Sequence, residues 1–477
     1  MGPLKGVFMR VIGLAVAAFM FSTGGSPAAA HTYLRGDDQE MYDLKEPQQG
    51  RMDVAALLTS ARGAPPMICA MAAQSLRNWG WGDNSADAPS TPLSSIVSTV
   101  NYQLRQNNGD LPAEDVDRLM AALSSDDACV RELSVRILGT QRKDERISRG
   151  FIVRLAQNDI PTREVAAFGL GLADAETAVN PLIQTLRDPA PSVRANSAWA
   201  LGRIENGRAV APLLALFRDE AATVREAAVI AVGHMESTST VPALIRVLRE
   251  DNVASVRRVA AWALGENEAR EAAPALAAAL AGDSDPRVRE MSAWALGSIE
   301  DRSTQTTSAL IKAARSDTDD RVREVAVWAI GESENRGAID VLGQIVTSDR
   351  SARVRGTAAW AIGQLDDEGV RAPAGLLQAL KDEDTDTRLK AAWALGQLED
   401  PAALPAIKSA LNSEQNDRVK RALIRALMKS GEHSEATMTE LLKSSDPKIR
   451  EAAIRGLAGR SAVDPWPWPW PRPRPFP

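Results

Sequence analysis

Histidine and cysteine, which supply many catalytic and metal-binding side chains, are scarce in this sequence. Its 477 residues include only His31, His234, His433, Cys69 and Cys129 of these two types. The HExxH, CxxC, GxSxG and P-loop motifs are absent, and no pair of carboxylates is marked by an apolar pocket. The sequence therefore predicts no catalytic residue, no metal site and no cofactor.

An excess of basic residues is also missing, since the formal net charge is −6. Proteins that bind the phosphates of DNA or RNA need a basic face. Nucleic acid is therefore excluded as a predicted partner. Charged residues make up 25% of the chain and apolar residues 44%, as in ordinary soluble proteins.

Long apolar runs are few, and the one at 11–21, VIGLAVAAFMF, is short for a membrane span. Lys5 and Arg10 precede it, and the small residues 28–30 follow. This order is typical of a secretory signal peptide. We expect cleavage before His31 and a secreted or periplasmic protein, with an uncleaved anchor as the alternative.

The two cysteines lie sixty residues apart in the sequence. An exported protein can form a disulfide but does not have to. In a helical array this separation favours positions too distant for disulfide geometry. We therefore interpret Cys69 and Cys129 as buried thiols.

An internal repeat dominates the chain. The segments DPAPSVRANSAWALGRIE (188–205), DSDPRVREMSAWALGSIE (283–300) and DEDTDTRLKAAWALGQLE (382–399) share an Asp, an Arg six residues later, and a helix of small residues with Leu-Gly near its end. We call that Arg the marker and count positions from it. The markers are Arg131, Arg163, Arg194, Arg225, Arg257, Arg289, Arg323, Arg355, Arg388, Lys420 and Arg450. Repetition at this period indicates stacked helical units.

Each unit is predicted to form two antiparallel helices. Proline near the start of the first helix is tolerated because its missing N–H has no partner there anyway. An Asp-rich turn suits the start of the second helix, and the glycine at position +8 is expected to stop it. One such pair cannot bury its own apolar face, so neighbouring units must stack.

These units resemble the HEAT repeat superfamily, specifically the short HEAT-like repeats named after phycobilisome lyases. The resemblance implies an all-α, right-handed α-solenoid of about eleven helical hairpins. It also implies a hydrogen-bonded ladder between units, formed by pairs of the type Asp188/Arg194 and Asp283/Arg289. Lyase and di-iron hydroxylase activities occur among proteins with such repeats, but the hydroxylases need several His-Glu pairs that this chain lacks.

The predicted domain organisation has five parts. Residues 1–30 are the signal peptide and 31–50 a polar segment. Residues 51–110 match the repeat poorly and are interpreted as a degenerate helical cap, since terminal repeats need a polar outer face. The solenoid covers 111–460, and a disordered tail rich in Pro, Trp and Arg covers 461–477.

Tryptophan occupies position +5 in six units: Trp199, Trp262, Trp294, Trp328, Trp360 and Trp393. On a helical wheel this position lies about 145° from the centre of the unit's own core. It points to the surface lined by second helices, which is concave in the resembled family. Two interpretations remain open. The rings pack against the neighbouring second helix, or they form an aromatic ladder with a ring about every 10 Å along a ligand groove.

Carboxylates accompany these tryptophans, with Glu290 and Glu324 at position +1 and Glu266 and Glu332 at position +9. An aromatic, mildly acidic groove suits a ligand that is extended, apolar and partly cationic. Charges in this arrangement are also typical of a merely solvated face.

The segment PWPWPWPRPRPFP (465–477) has proline at every odd position, which favours a polyproline II rod. Its other residues are Trp466, Trp468, Trp470, Arg472, Arg474 and Phe476. Three roles stay open: docking into a groove of this chain, of a neighbouring copy or of another protein; contact with a membrane interface; or no partner.

Taken together, these features predict a non-enzymatic, extracytoplasmic protein-binding or scaffolding solenoid. Its ligand would be a protein or a peptide, including its own tail or that of a neighbouring copy. One alternative is a repeat-built enzyme or accessory factor of the lyase type. The other is an envelope-associated protein whose tail contacts a membrane or a membrane protein.

Overall fold

The computed structural model of the protein describes residues 53–75, 111–141, 144–333, 336–365, 370–431, 439, 441–444 and 447–457. They belong to one compact unit, Met52–Pro477. The expected signal peptide, the polar segment 31–50 and the tail lie outside the described residues.

Helices and 3-10 turns are the regular elements of the described part of the chain. The first helices of the hairpins are Ala113–Ala122, Glu145–Arg154, Val179–Thr185, Val210–Ala215, Val241–Glu250, Ala273–Gly282, Thr304–Ser316, Ile339–Ser348, Ala374–Ala379 and Leu404–Ser413. The second helices are Ala128–Gly139, Ile160–Leu172, Pro191–Ile204, Ala222–His234, Ala254–Glu266, Pro286–Ser298, Asp320–Glu332, Ala352–Gln364, Thr385–Leu398, Asp417–Lys429 and Pro447–Leu457. No helix among the described residues is long and apolar enough to cross a bilayer.

Successive second helices pack side by side, and each first helix packs against the second helix of its own hairpin. Alanine, valine and leucine of both helices form one continuous core along the stack. Because each unit shares this core with its neighbours, no single hairpin has to bury its apolar surface alone. The predicted all-α solenoid is confirmed.

The turn before six of the second helices supplies the side-chain cap that the sequence predicts, whereas the N-cap residues Ala190, Ala221, Val253 and Ser351 make no such bond. Asp159 accepts a hydrogen bond from the backbone N–H of Thr162, and Asp384 does the same for Thr387. These bonds satisfy backbone donors that have no partner inside the helix.

The predicted Asp–Arg ladder is confirmed, and the structure gives its register. Nη1 of Arg194 donates to the carbonyl of Asp188 in its own turn, at 2.9 Å. Nε and Nη2 of Arg194 both donate to the carboxylate of Asp219 in the next turn, at 2.8 Å. Asp219 also accepts the backbone N–H of Ala221. Eight such pairs follow one another, with side chains only 4–17% exposed for Arg and 5–10% for the acid: Arg163–Asp188, Arg194–Asp219, Arg225–Asp251, Arg257–Asp283, Arg289–Asp317, Arg323–Asp349, Arg355–Asp382 and Arg388–Glu414.

The ladder perturbs the ionisation of its acids. Burial by itself raises the pKa of the Asp219 carboxyl, but hydrogen bonds from Arg194 and the backbone, together with Coulombic attraction, hold that pKa below its ordinary value. The same balance lowers the pKa of Asp251, Asp283 and Asp317. The ladder acids therefore stabilise the fold in their ionised form.

The expectation that the glycine at position +8 stops each second helix was wrong. Apart from Gly139, which is the last residue of Ala128–Gly139, these glycines lie inside the helices; Gly202, for example, is followed by two further helical residues of Pro191–Ile204. Beyond six of the second helices, the chain turns away one or two residues later at an acidic residue with φ between 45° and 54°. These are Asp174, Glu205, Glu236, Glu268, Glu300 and Glu399. An αL residue terminates a helix, although glycine would adopt that conformation with less strain.

The interpretation of the two cysteines as thiols was also wrong. The described part of the degenerate cap forms the helices Val54–Ala61 and Pro66–Ser75. Cys69 in the latter is joined to Cys129 by a disulfide, with their Cα atoms 5.6 Å apart. The cap folds back on the helix Ala128–Gly139, so residues distant in sequence become adjacent in space.

Candidate binding face of the second helices

Positions +1, +5 and +9 lie on one side of each second helix, because a spacing of four residues returns to the same helical face. We call the surface formed by these positions the second-helix face. It carries all the described residues that the sequence singled out as candidate binding residues. The candidate tail residues 466–476 lie outside the described residues.

The six tryptophans of this face pack between neighbouring second helices. Each indole lies with its Cζ3 edge against the +8 glycine of the preceding unit, in the pairs Trp199–Gly171, Trp262–Gly233, Trp294–Gly265, Trp328–Gly297, Trp360–Gly331 and Trp393–Gly363. A Cβ atom on any of these glycines would lie 2.5–3.0 Å from the ring. The packing interpretation of the tryptophans is confirmed, and it explains why glycine and tryptophan recur together.

Burial differs along the row of tryptophans. Trp262, Trp328 and Trp360 are only 4–7% exposed, whereas Trp199 and Trp294 are half-buried. Trp199 also stacks on Phe168, with ring centroids 4.8 Å apart, and the guanidinium of Arg203 lies over it. A ligand of this face would therefore meet ring edges at some units and covered rings at others. The aromatic ligand ladder stays a prediction.

Glu266 ends its helix beside Trp262. Burial raises the pKa of Glu266, and the charge of Glu236 adds to this, while His234 and a hydrogen bond with Trp262 act in the opposite direction. The imidazole of His234 packs edge-on against Trp262, with centroids 5.1 Å apart. Glu332, at the corresponding place in its own helix, is exposed.

Carboxylates at position +1 differ in how they are paired. Glu226 accepts a hydrogen bond from the Ser255 hydroxyl at 2.8 Å, and Glu324 forms an ion pair with Arg353 at 2.6 Å. Glu290 is half-buried, but it makes no hydrogen bond and no ion pair with any described residue. Burial raises the pKa of Glu290 and of Glu324, against the attraction of nearby arginines.

Lys390, at position +2 of its unit, lies at the edge of this face and was missed by the sequence reasoning. Its side chain lies across Gly356, so closely that a Cβ there would meet Cδ and Nζ at 3.3 Å. Burial lowers the pKa of Lys390, while the charges of Asp386 and Glu324 oppose that change. Gly356 could have indicated this position of Lys390, because most other units carry a long charged side chain at position +1.

The second-helix face thus combines half-buried carboxylates, aromatic edges and one half-buried lysine at its edge. Among the described residues no group of three His, Cys, Asp or Glu side chains could hold a metal ion. Chemically, the face can accept hydrogen bonds and pair with cations over several units.

Comparison with protein families identifies the repeats. Residues 148–233, 241–331, 307–373 and 373–458 match the family model described as HEAT repeats. Residues 224–250 also match the PBS lyase HEAT-like repeat. No curated protein matches the chain.

Solved structures share the architecture at low sequence identity. Importin beta is 12% identical over 85% of this chain and 66% of its own, with a TM-score of 0.54. Kap95p from its complex with RanGDP is 13% identical over the same shares, with a TM-score of 0.52. The CpcE–CpcF complex of phycocyanin lyase from Nostoc sp. PCC7120 is 23% identical over 52% of this chain and 97% of that one, with a TM-score of 0.32.

Proposed function

The chain belongs to the HEAT repeat family, and we propose that it is an extracytoplasmic, non-enzymatic protein-binding or scaffolding solenoid. The observation that carries this proposal is the incompletely paired second-helix face, above all the half-buried Glu290 carboxylate, which makes no hydrogen bond or ion pair with any described residue. A partly desolvated charge is unfavourable until a cation supplies the missing interaction. A partner with basic side chains would provide it.

The architecture supports a macromolecular partner. A solenoid presents a long, nearly regular surface, and stacked repeats commonly use such surfaces for binding. Kap95p, which shares this fold, binds RanGDP. A protein or peptide that runs across several second helices fits this surface better than a compact small molecule does.

The disulfide between Cys69 and Cys129 supports a location outside the cytoplasm. Disulfides persist in oxidising compartments and are rare where thiols are kept reduced. N-terminal sequencing of the protein from fractionated cells tests this part of the proposal. We expect a mature chain beginning at His31, and a full-length chain in the cytoplasmic fraction would contradict it.

Photo-crosslinking tests the binding role directly. A photoreactive residue at Gln397, on the second-helix face, is compared with one at Lys312, which is exposed on the first helix Thr304–Ser316. After irradiation in cells, we expect a discrete protein adduct from Gln397 and none from Lys312. Equal adducts from the two positions, or none from either, would refute the proposed face.

A further inference from the structure

Glu164 and Glu290 are half-buried carboxylates at position +1 that make no hydrogen bond or ion pair in the described part of the chain. Glu164 lies four second helices further from the C-terminal end of the stack than Glu290 does. Glu226 is paired with Ser255 and Glu324 with Arg353, in each case through the following unit. Arg321 holds the corresponding place beside Glu290 and attracts it electrostatically, but makes no hydrogen bond or ion pair with it in the described part of the chain. Of the two half-buried acceptors in this row without such a partner, Glu290 is the one nearer the C-terminal end of the stack, and it is left for a cation from outside the described residues.

The surroundings of Glu290 suit a cation with a planar or aromatic neighbour. Trp294 lies one helical turn further along the same helix face and is half-buried, so part of its ring is accessible. A guanidinium can donate two hydrogen bonds to a carboxylate and lie against an indole at the same time. An arginine with adjacent proline or aromatic residues therefore fits this place best.

Segment 465–477 of the same chain has that composition. It carries Arg472 and Arg474, three tryptophans and no acidic residue. Proline at every second position removes backbone donors and keeps the segment extended, which lowers the entropy lost on docking. Its charge is opposite to that of Glu290.

The length of chain allows contact within one molecule. The last described residue is Leu457 in the helix Pro447–Leu457, and Arg472 and Arg474 follow fifteen and seventeen residues later. An extended segment covers about 3.1 Å per residue, so these arginines reach at most about 47 and 53 Å. Five helix-to-helix steps of about 10 Å separate Pro447–Leu457 from Pro286–Ser298, which carries Glu290. The reach and the distance are similar.

We propose that segment 465–477 docks in cis along the second-helix face, with Arg472 or Arg474 paired with the Glu290 carboxylate. The tryptophans of the segment, nine to thirteen residues beyond Leu457, then lie about 28–40 Å along the stack, over the units that contain Trp360 and Trp328. This inference rests on the proposed function, because it uses the same face as a binding surface. The docking adds autoinhibition to the proposed function, because a partner has to displace segment 465–477 from the second-helix face.

A labelled peptide with the sequence of residues 465–477 tests the docking. It is titrated by fluorescence anisotropy against the mature chain ending at residue 464. We expect saturable binding that weakens about tenfold for Glu290→Gln, as for the loss of a hydrogen bond to a charged group. Glu250→Gln is the matched control, because it removes the same charge from an exposed position at the end of a first helix. The mature chain that retains its own segment should bind the peptide more weakly.

Several results would overturn the docking. The docking is wrong if the peptide does not bind, or if it binds Glu290→Gln and Glu250→Gln equally well. It is also wrong if a peptide with both arginines replaced by glutamine binds as tightly. Binding of the peptide to anionic lipid vesicles but not to the protein would assign the segment to a membrane instead. If Gln397 still gives a protein adduct in cells, such a failure removes only the docking. If that adduct is missing as well, the proposed function fails with it.

Discussion

Replacing Gly363 by alanine tests whether the close approach of second helices is a packing requirement. A Cβ at Gly363 would lie 2.5 Å from Cζ3 of Trp393 and 2.9 Å from Cα of Ala394. Carbon atoms in favourable contact are about 3.5–4.0 Å apart, so Ala352–Gln364 and Thr385–Leu398 would have to separate by roughly 1 Å. The Cα atom of Ala394 belongs to the backbone, so it cannot move away by a side-chain rotation.

The expected magnitude combines two opposing effects. Overpacking of a filled interface destabilises by about 1–3 kcal/mol. Alanine is favoured over glycine inside a helix by up to about 1 kcal/mol, which offsets part of that loss. We expect Gly363→Ala to lower the free energy of unfolding by about 1–2 kcal/mol. Gly282→Ala is the control, because a Cβ there meets no atom within 4 Å.

Urea unfolding followed by circular dichroism gives the free energies of both variants. Hydrogen exchange then locates the effect, because units in a repeat array can open separately. We expect faster exchange in Thr385–Leu398 for Gly363→Ala and unchanged exchange in Pro191–Ile204. If Gly363→Ala is as stable as Gly282→Ala, the spatial explanation for the recurring glycine is wrong.

Four further predictions concern the ladder, the helix ends and the cap. Asp317→Ala removes the carboxylate that pairs with the largely buried Arg289 and should lower the free energy of unfolding in urea by about 3–5 kcal/mol. Glu145→Ala, which removes an exposed ion pair with Arg149, should change it by less than about 1 kcal/mol. The pKa values of the ladder acids are lower in the folded than in the unfolded protein. Their contribution to stability is therefore complete above the unfolded pKa and is lost as pH falls through the folded pKa. An unfolding free energy that does not fall on acidification would contradict this. Glu300→Gly should raise the melting temperature, since glycine removes about 1 kcal/mol of αL strain, and a lower value would refute that explanation. Mass spectrometry of the non-reduced protein should show Cys69 linked to Cys129, and a titration of free thiols before reduction should give zero. Replacing both cysteines by serine should lower the free energy of unfolding by up to about 4 kcal/mol.

Local patterns predicted the repeats correctly because helix formation and capping depend on neighbouring residues. The helix periodicity and the Asp-rich caps follow from short-range order, whereas the ladder joins neighbouring units and was implied by the resemblance to HEAT-like repeats. The roles of the glycines and cysteines could not be predicted in this way. Gly202 would fit a helix stop by propensity, and only the approach of the next helix explains its place inside one. Cys69 meets Cys129 because the cap folds back, which spacing in the sequence does not reveal.

The candidate face shows the same division. Wheel geometry correctly directed the tryptophans away from their own cores, yet burial by the neighbouring unit varies from Trp294 to Trp360. Glu226 and Glu290 have equivalent positions in the repeat, but of the two only Glu226 has a hydrogen-bond partner in the described part of the chain. Pairing depends on the side chain that the next helix brings within reach.

The sequence by itself determined that this chain is a stack of helical hairpins, since each unit repeats the pattern of apolar, capping and ladder residues that its own helices require. Tertiary structure alone decided which acid each arginine binds, which glycine each indole covers, and which carboxylates have no hydrogen bond or ion pair among the described residues. Those features belong to interfaces between units. They depend on differences of a few tenths of an ångström in the spacing between helices that are about thirty residues apart in the chain. Close packing at these interfaces fixes the contacts.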